Sequence, residues 1–436
     1  MGRVAQQFRT QHESSRWVLL ALIFAGILIS YVDRGNLSIA AATIMRDFRL
    51  PPASMGVLLS AFFWTYGAFQ IPAGFLVDRL GIRRTYAAAF LIWSLASAGM
   101  ALSRGAGDLL SARLVLGLAE TVGPVASLAF IRQHFAGREQ GLPLSIYVAG
   151  QTFGPACGAL LGSVLLVSFG WRSMFAAIGL VALLWVPAWL FFTPRKPNVP
   201  ARPLKAAPTV WPWRTILASP AVWAMSGCVF FFSYYWYFVL TWMPTYLTSA
   251  RGFSTLDMGE ILSIPLFSMA GVNIAAGWLA DKLAARTGNV FGVRLWFAAA
   301  GLAGAALILV LNVMPGRAPV LPILVVSICS FGVASSNYWA IAQFVPPIPV
   351  VGRTVGYLNT LSQIGGIAAP LITGWSLGPQ KNFELAILLA GVSPLVSCVL
   401  LFITGPRGLA KLKERLSDTY VRSDSMRESI QPEPNL

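Results

Sequence analysis

The chain has 436 residues, of which 56% are hydrophobic and only 11% are charged. Soluble domains carry about 25% charged residues, so this composition excludes a soluble globular protein and predicts an all-α polytopic membrane protein. The net charge of +16 could suggest a nucleic-acid partner. Most Lys and Arg, however, lie in segments on the same side of the membrane as the N-terminus. The positive-inside rule then places both termini in the cytoplasm, and we predict no nucleic-acid partner.

A membrane helix needs about 20 mainly apolar residues, and the sequence predicts twelve such helices. The first apolar run has no small-residue cleavage site and ends in charged residues, so it is predicted to be a retained helix rather than a signal peptide. The predicted spans are 17–42, 53–77, 84–103, 107–133, 140–168, 172–193, 219–248, 257–280, 291–312, 319–345, 352–376 and 383–404.

The first span contains an acid beside a base, Asp33 and Arg34, near its middle. Insertion scales give each such residue a cost of about 2.5–3.5 kcal/mol at the centre of a membrane helix, so a function is expected for both. The alternative is an interhelical salt bridge that only fixes packing.

The second span runs into a glycine-containing basic stretch, residues 74–84, which predicts a tight loop between two membrane helices. A weaker copy follows about 200 residues later, at residues 277–282. Two copies of one loop indicate an internal repeat, with one copy in each half of the chain. The residues of the predicted gating loop are Gly74, Asp78, Arg79, Gly81, Arg83 and Arg84.

With this loop and repeat, the chain resembles the major facilitator superfamily. The resemblance implies two pseudo-symmetric bundles of six transmembrane helices. The Pro-, Lys- and Arg-rich stretch between the halves then corresponds to the family's linker. The implied division is a cytoplasmic N-terminal segment 1–16, a first bundle 17–194, a cytoplasmic linker 195–216, a second bundle 217–405 and a cytoplasmic tail 406–436.

The fourth span carries Arg113 and Glu120, which are seven residues apart. This spacing is two helical turns, so both side chains are predicted on one face, about 10 Å apart along the axis. Because lipid is unfavourable for both, that face should meet Asp33 and Arg34 or a watery cavity. A closed structural network is the alternative.

Other spans contain uncharged polar or aromatic groups at membrane depth. The small-residue run 150–162 predicts close helix packing, although it also resembles a stretch associated with antiporters, and its Gln151 can face a cavity. The aromatic run 230–247 predicts an interfacial belt, core packing or a pocket wall. Polar residues at 335–339 and 359–366 are predicted to line a cavity or to bridge helices.

Four stretches resemble the anion:cation symporter family, whose members transport sugar acids and other carboxylates: residues 31–34, 113–120, 169–172 and 240–247. The resemblance implies that Asp33 and Glu120 bind protons, with Arg113 as their ion-pair partner. It also implies that Arg34 lies near the substrate carboxylate. The aromatic residues of the seventh span, and Tyr338, depart from the sugar-acid members and leave room for a bulkier or aromatic carboxylate. The predicted substrate-binding residues are Tyr31, Arg34, Tyr66, Gln151, Tyr234, Tyr235, Ser336, Tyr338, Trp339 and Asn359.

The predicted function is therefore that of a proton-coupled symporter, not an enzyme, that imports an organic anion by alternating access across the bacterial inner membrane. A drug-efflux antiporter and a transporter-like receptor that signals without transport are the alternatives. The predicted partners are the anion, protons and the lipid bilayer, and the protein is predicted to be a monomer. Cysteine and histidine positions show no metal-ligand spacing, so we predict no cofactor, disulfide or metal site; these residues are Cys157, Cys228, Cys329, Cys398, His12 and His134.

Overall fold

The computed structural model describes residues 2–135, 139–194, 220–344, 351–378 and 382–404. Within these ranges the regular structure is helical and contains no strand, as the composition predicts. Nine helical stretches of this described part are long and apolar enough to cross a membrane. The protein is thus a multi-pass integral membrane protein. The predicted linker and tail lie outside the described ranges, and the division into domains stays a prediction.

The helices agree with the twelve predicted spans when segments that continue across a short break are joined. We number them α1 to α12 in chain order. They are α1 (Gly2–Asp47), α2 (Pro52–Ala68 and Gln70–Leu80), α3 (Ile82–Gly99), α4 (Ala106–Glu120 and Val122–His134), α5 (141–169), α6 (171–192), α7 (Pro220–Thr241 with a π-helical end, Tyr246–Ala250), α8 (Thr255–Thr287), α9 (Val290–Ala305 with a 3-10 end, Ala306–Asn312), α10 (Val320–Phe344), α11 (Val351–Ser376) and α12 (Glu384–Thr404).

Two glycines form sharp turns whose backbone angles are unfavourable for other residue types. Gly170 separates α5 from α6 with φ of 77°, and Gly81 separates α2 from α3 with φ of 81°. Both angles lie in the left-handed region that glycine adopts without steric cost. The predicted loop at 74–84 is therefore corrected: α2 stays helical to Leu80, α3 begins at Ile82, and the turn itself is Gly81 alone.

The two halves, α1–α6 and α7–α12, pack along two seams, α2 against α11 and α5 against α8. Small residues allow the close approach. A Cβ on Gly56 would lie 2.5 Å from the carbonyl oxygen of Pro370, and a Cβ on Gly259 would lie 2.1 Å from the Ser163 hydroxyl oxygen. These contacts hold the halves together at the end of the molecule where α2 begins, which we call the Pro52 end.

The opposite end, which holds Leu80 and His134, is called the His134 end. There the second parts of α2 and α4 pack on each other and on neighbouring helices of the first half, and the described residues show no extended contact between them and the second half. For the described residues, the space between the halves is therefore closed at the Pro52 end and wider at the His134 end.

Helices α2 and α4 are locked together beside the breaks that interrupt each of them. The Thr65 hydroxyl donates to the Leu114 carbonyl oxygen (2.8 Å), and the Thr121 hydroxyl donates to the Tyr66 carbonyl oxygen (3.3 Å). Between these bonds a Cβ on Gly117 would lie 2.2 Å from the Phe62 carbonyl oxygen. The backbones of the two helices therefore touch at Gly117.

We expect Gly117→Ala to lower the free energy of unfolding, because its methyl group would force the α2 and α4 backbones apart, a cost of about 1–3 kcal/mol. Gly107→Ala is the matched control on the same helix, since nothing lies within 4 Å of its Cβ position. It should be neutral or stabilising by up to about 1 kcal/mol. Thermal unfolding of the purified variants measures both, and equal unfolding temperatures would contradict this packing.

Candidate functional site

A buried ion pair joins α1 and α4 inside the first half. The Nε of Arg34 lies 2.6 Å from Oε2 of Glu120, and the Ser30 hydroxyl donates to the same oxygen at 2.6 Å. The Glu120 side chain is fully buried, whereas that of Arg34 is 14% exposed. The Oε1 atom of Glu120 is buried and has no hydrogen-bond partner among the described residues. Removing one partner of a buried pair typically costs about 3–5 kcal/mol, so the two charges depend on each other.

The guanidinium of Arg34 sits in a cage of three aromatic rings. Its Cζ lies 4.4 Å from the ring centre of Tyr31, 4.8 Å from that of Phe62 and 4.6 Å from that of Tyr66. Desolvated cation–π contacts of this kind contribute up to about 2 kcal/mol. Arg34 hydrogen-bonds to Glu120 through Nε and also interacts with the Tyr31 hydroxyl. Because its side chain is still 14% exposed, the guanidinium remains within reach of a substrate carboxylate.

Asp33 is part of the same buried charge cluster as Arg34, Arg113 and Glu120, but it has hydrogen-bond partners of its own. Its Oδ1 accepts hydrogen bonds from the Ser97 hydroxyl (2.5 Å) and from the side-chain amide of Asn36 (3.1 Å). Its Oδ2 is buried without a hydrogen-bond partner. The two neighbouring residues Asp33 and Arg34 therefore point to different partners.

Arg113 is 3% exposed and pairs with neither acid in the described part of the chain. Its guanidinium instead packs against Phe62, with Cζ 5.2 Å from the ring centre, although it still interacts electrostatically with Asp33 and Glu120. The ion pair implied for Arg113 is thus not formed here. The first part of α4 ends at Glu120, and the Glu120 side chain reaches Arg34.

Four further predicted substrate residues lie at or near this cage. Tyr31 and Tyr66 are two of its walls. The amide of Gln151 on α5 donates to the Tyr147 hydroxyl at 2.9 Å. Asn359 on α11 donates to the side-chain oxygen of Gln70 on α2 at 3.2 Å, so it bridges the two halves.

The remaining predicted substrate residues pack within the second half. Tyr235 is fully buried and shares a 2.5 Å hydrogen bond with Ser327, while Tyr338 is fully buried and stacks on Phe232. Their predicted contact with the substrate stays a prediction. Tyr234 is 4% exposed. Trp339 is half-buried and packs edge-on against Tyr338, and the Ser336 hydroxyl donates to carbonyl oxygens of its own helix.

The sequence did not reveal several residues that complete the site. Ser30 and Phe62 each precede a cage residue by one helical turn, and that i, i+4 spacing could have indicated them. From the second half, Tyr237 packs on Phe63 with ring centres 4.5 Å apart and donates to the Gln363 side-chain oxygen at 3.4 Å. Tyr237 also interacts electrostatically with Arg34. It therefore faces the cage from across the cavity.

The residues of the predicted gating loop divide into two groups. Arg83 donates to the carbonyl oxygens of Leu190 (2.9 Å) and Thr193 (3.0 Å), so it ties α3 to the end of α6 within the first half. Gly74 has nothing within 4 Å of its Cβ position. Asp78, Arg79 and Arg84 are exposed, and the described residues give them no hydrogen bond. In the weaker copy of the stretch, Asp281 pairs with Arg294. A gating role stays a prediction.

Comparison with known proteins gives a consistent identity. The profile of the Major Facilitator Superfamily matches residues 23–370, most of the chain. The hexuronate transporter of Bacillus subtilis (strain 168) is 29% identical over 389 residues, which cover 86% of this chain and 90% of that protein. The protein named "Probable galactarate/D-glucarate transporter GudP" of the same organism is 26% identical over 439 residues, which cover 93% of this chain and 95% of that protein.

A solved structure has the same fold. It is that of a bacterial homolog to the human lysosomal transporter Spinster, in an inward-facing and unoccupied conformation, with a TM-score of 0.71 at 17% identity. The match covers 93% of this chain and 98% of that one, and at this identity it shows the fold alone. The predicted fold class and the predicted resemblance are thus confirmed. This protein is a transporter rather than an enzyme, and it belongs to the Major Facilitator Superfamily.

Proposed function

We propose that the protein is a proton-coupled symporter that imports an organic anion, a sugar acid or another carboxylate, by alternating access. The observation that carries this proposal is the pairing of Arg34 with Glu120 inside an aromatic cage, with the Arg34 side chain still partly exposed. Arginine presents a planar fork of donors that suits a carboxylate. The names of the relatives, which include a hexuronate transporter, support a sugar acid.

Coupling of proton and anion transport follows because Glu120 and the substrate compete for Arg34. An incoming carboxylate and the carboxylate of Glu120 are both negative, and like charges at one desolvated site repel each other. A proton on Glu120 removes that repulsion and weakens its hold on Arg34, so that the anion can take its place. Protonation and anion binding then favour each other, which is the requirement for symport. Asp33, which has its own partners, is assigned to the conformational cycle rather than to the exchanged proton.

The two ends of the molecule are assigned to the two sides of the membrane from the proposed topology. With both termini in the cytoplasm of a bacterial inner membrane, the wider His134 end faces the cytoplasm and the closed Pro52 end faces outward. The structure then corresponds to an inward-facing state of a single-subunit transporter. Rocking of the halves about the α2–α11 and α5–α8 seams would expose the same site to the other side.

The efflux alternative rested on the small-residue run of α5, which has a packing explanation. A Cβ on Gly154 would lie 2.3 Å from Cβ of Tyr31, and a Cβ on Gly158 would lie 3.2 Å from Cα of Val32. The run thus lets α5 approach α1 closely, as small residues do between membrane helices.

Counterflow in proteoliposomes tests the function. Vesicles loaded with unlabelled glucuronate should take up labelled glucuronate. Vesicles without it should accumulate label when the outside is more acidic, and a protonophore should abolish this accumulation. Binding without flux would instead indicate a receptor. Accumulation driven by an acidic interior would indicate an antiporter.

A further inference from the structure

The cage contains one cation that a substrate can reach. Of the arginines in the first-half cluster, Arg34 has a side chain that is 14% exposed, whereas Arg113 is only 3% exposed and lies against Phe62. Arg294, in the second half, is paired with Asp281 near the His134 end of α8. Among the side chains that the structure describes, the site thus offers one accessible guanidinium, and Glu120 neutralises it when no anion is bound.

The second half faces this cation with uncharged groups. Tyr237 and Gln363 share a 3.4 Å hydrogen bond next to the cage, and Asn359, one turn before Gln363, reaches across to Gln70. Amides and phenols donate and accept hydrogen bonds, so they suit the hydroxyl groups of a polyol. In the part of the chain with described side chains, no Lys or Arg accompanies these three residues at the cavity.

From this charge distribution we propose that the transported anion carries a single carboxylate on a hydroxylated chain, and that the site rejects the corresponding diacid. The inference rests on the proposed function and narrows its substrate class. One carboxylate takes the place of Glu120 on Arg34 and leaves the charge of the site unchanged once Glu120 is protonated. A second carboxylate would lose its hydration and face only neutral side chains. Desolvation of an unpaired charge is strongly unfavourable.

The number of carboxylates on the substrate is open for this chain, because its relatives are named as transporters of monocarboxylates and of dicarboxylates. A hexuronate has one carboxylate, whereas galactarate and glucarate have two. Sequence identity is nearly the same to both relatives, so it does not choose between them.

The test compares matched pairs of ligands on the purified full-length protein. Galactonate and galactarate share one carbon skeleton and differ at one end, where a hydroxymethyl group is replaced by a carboxylate, and the same is true of gluconate and glucarate. Binding is measured by calorimetry in detergent, and counterflow in proteoliposomes. We expect each monocarboxylate to bind at least tenfold more tightly than its diacid and to be the one exchanged.

Two variants at one position test the physical reason. Gln363→Lys adds a cation opposite Arg34 and should reduce or reverse the preference, whereas Gln363→Met, of similar size but neutral, should keep it. If Gln363→Lys keeps the preference for the monocarboxylate, Gln363 does not lie near the end of the substrate opposite Arg34. That result would contradict the charge argument.

Equal or tighter binding of the diacid to the wild-type protein would overturn the inference while leaving carboxylate transport intact. If neither member of either pair bound or exchanged, the proposed sugar-acid function would fail and the inference would fall with it.

Discussion

Arg34→Lys is expected to weaken binding of the anion at least tenfold although the positive charge is kept. In the structure the Nε atom of Arg34 donates to Glu120, and in the proposed mechanism the substrate carboxylate takes the place of Glu120 once that acid is protonated. Lysine has one nitrogen in place of the planar fork of donors, so it cannot hold a carboxylate with the same two-donor geometry. Hydrogen bonds to charged groups contribute about 1.5–3 kcal/mol each, which corresponds to a loss of at least tenfold. Calorimetry with glucuronate measures the change.

The matched control is Arg46→Lys. Arg46 is at the end of α1, its side chain is 80% exposed, and its contact with Asp47 is 3.8 Å long. Exposed pairs of this kind contribute about 0–1 kcal/mol, so binding should be unaffected. Wild-type affinity in Arg34→Lys would place the substrate carboxylate elsewhere.

The membrane charges of the first half could be predicted from the sequence because such residues are rare and costly in apolar spans. Asp33, Arg34, Arg113 and Glu120 were recognised on that ground, and the structure gathers them between α1 and α4. Which base pairs with which acid could not be predicted. The side-chain directions that bring Glu120 to Arg34 are set by tertiary contacts, among them the hydrogen bond from Ser30 and the packing of both arginines against Phe62.

The second half was harder to predict because it has no charge at mid-span to mark the inward face. A run of aromatic residues such as 230–238 has no alternation between apolar and polar positions, so periodicity does not show which ring faces the cavity. The sequence predicts Tyr234 and Tyr235 as substrate residues, whereas the structure turns Tyr237 toward the cage and buries Tyr235 against Ser327. Contacts between helices that are distant in sequence determine which of these rings faces the cage.

Glu120 is the residue proposed to carry the exchanged proton. Glu120→Gln keeps the shape of the protonated acid and can still accept the hydrogen bonds from Ser30 and Arg34. It no longer competes with the substrate for Arg34 as a charge. The variant should therefore bind the anion and exchange it, while it loses the means to gain energy from a proton gradient.

Asp33→Asn is the matched comparison, because it removes the other buried acid of the same cluster. Asp33 accepts hydrogen bonds from Ser97 on α3 and from Asn36 on its own helix, and it does not contact Arg34. We expect this variant to slow the conformational cycle and hence to impair exchange and accumulation together. Glu120→Gln should thus abolish accumulation alone, whereas Asp33→Asn should impair exchange as well.

The decisive measurement is uptake of labelled substrate by proteoliposomes that contain Glu120→Gln, in counterflow mode and under an inward proton gradient. For this variant we expect counterflow within a few-fold of wild type and no accumulation above the external concentration at any pH gradient. Accumulation against the concentration gradient that still depends on pH would contradict it, since the coupling proton would then have to bind elsewhere, with Asp33 as the remaining buried acid of the cluster.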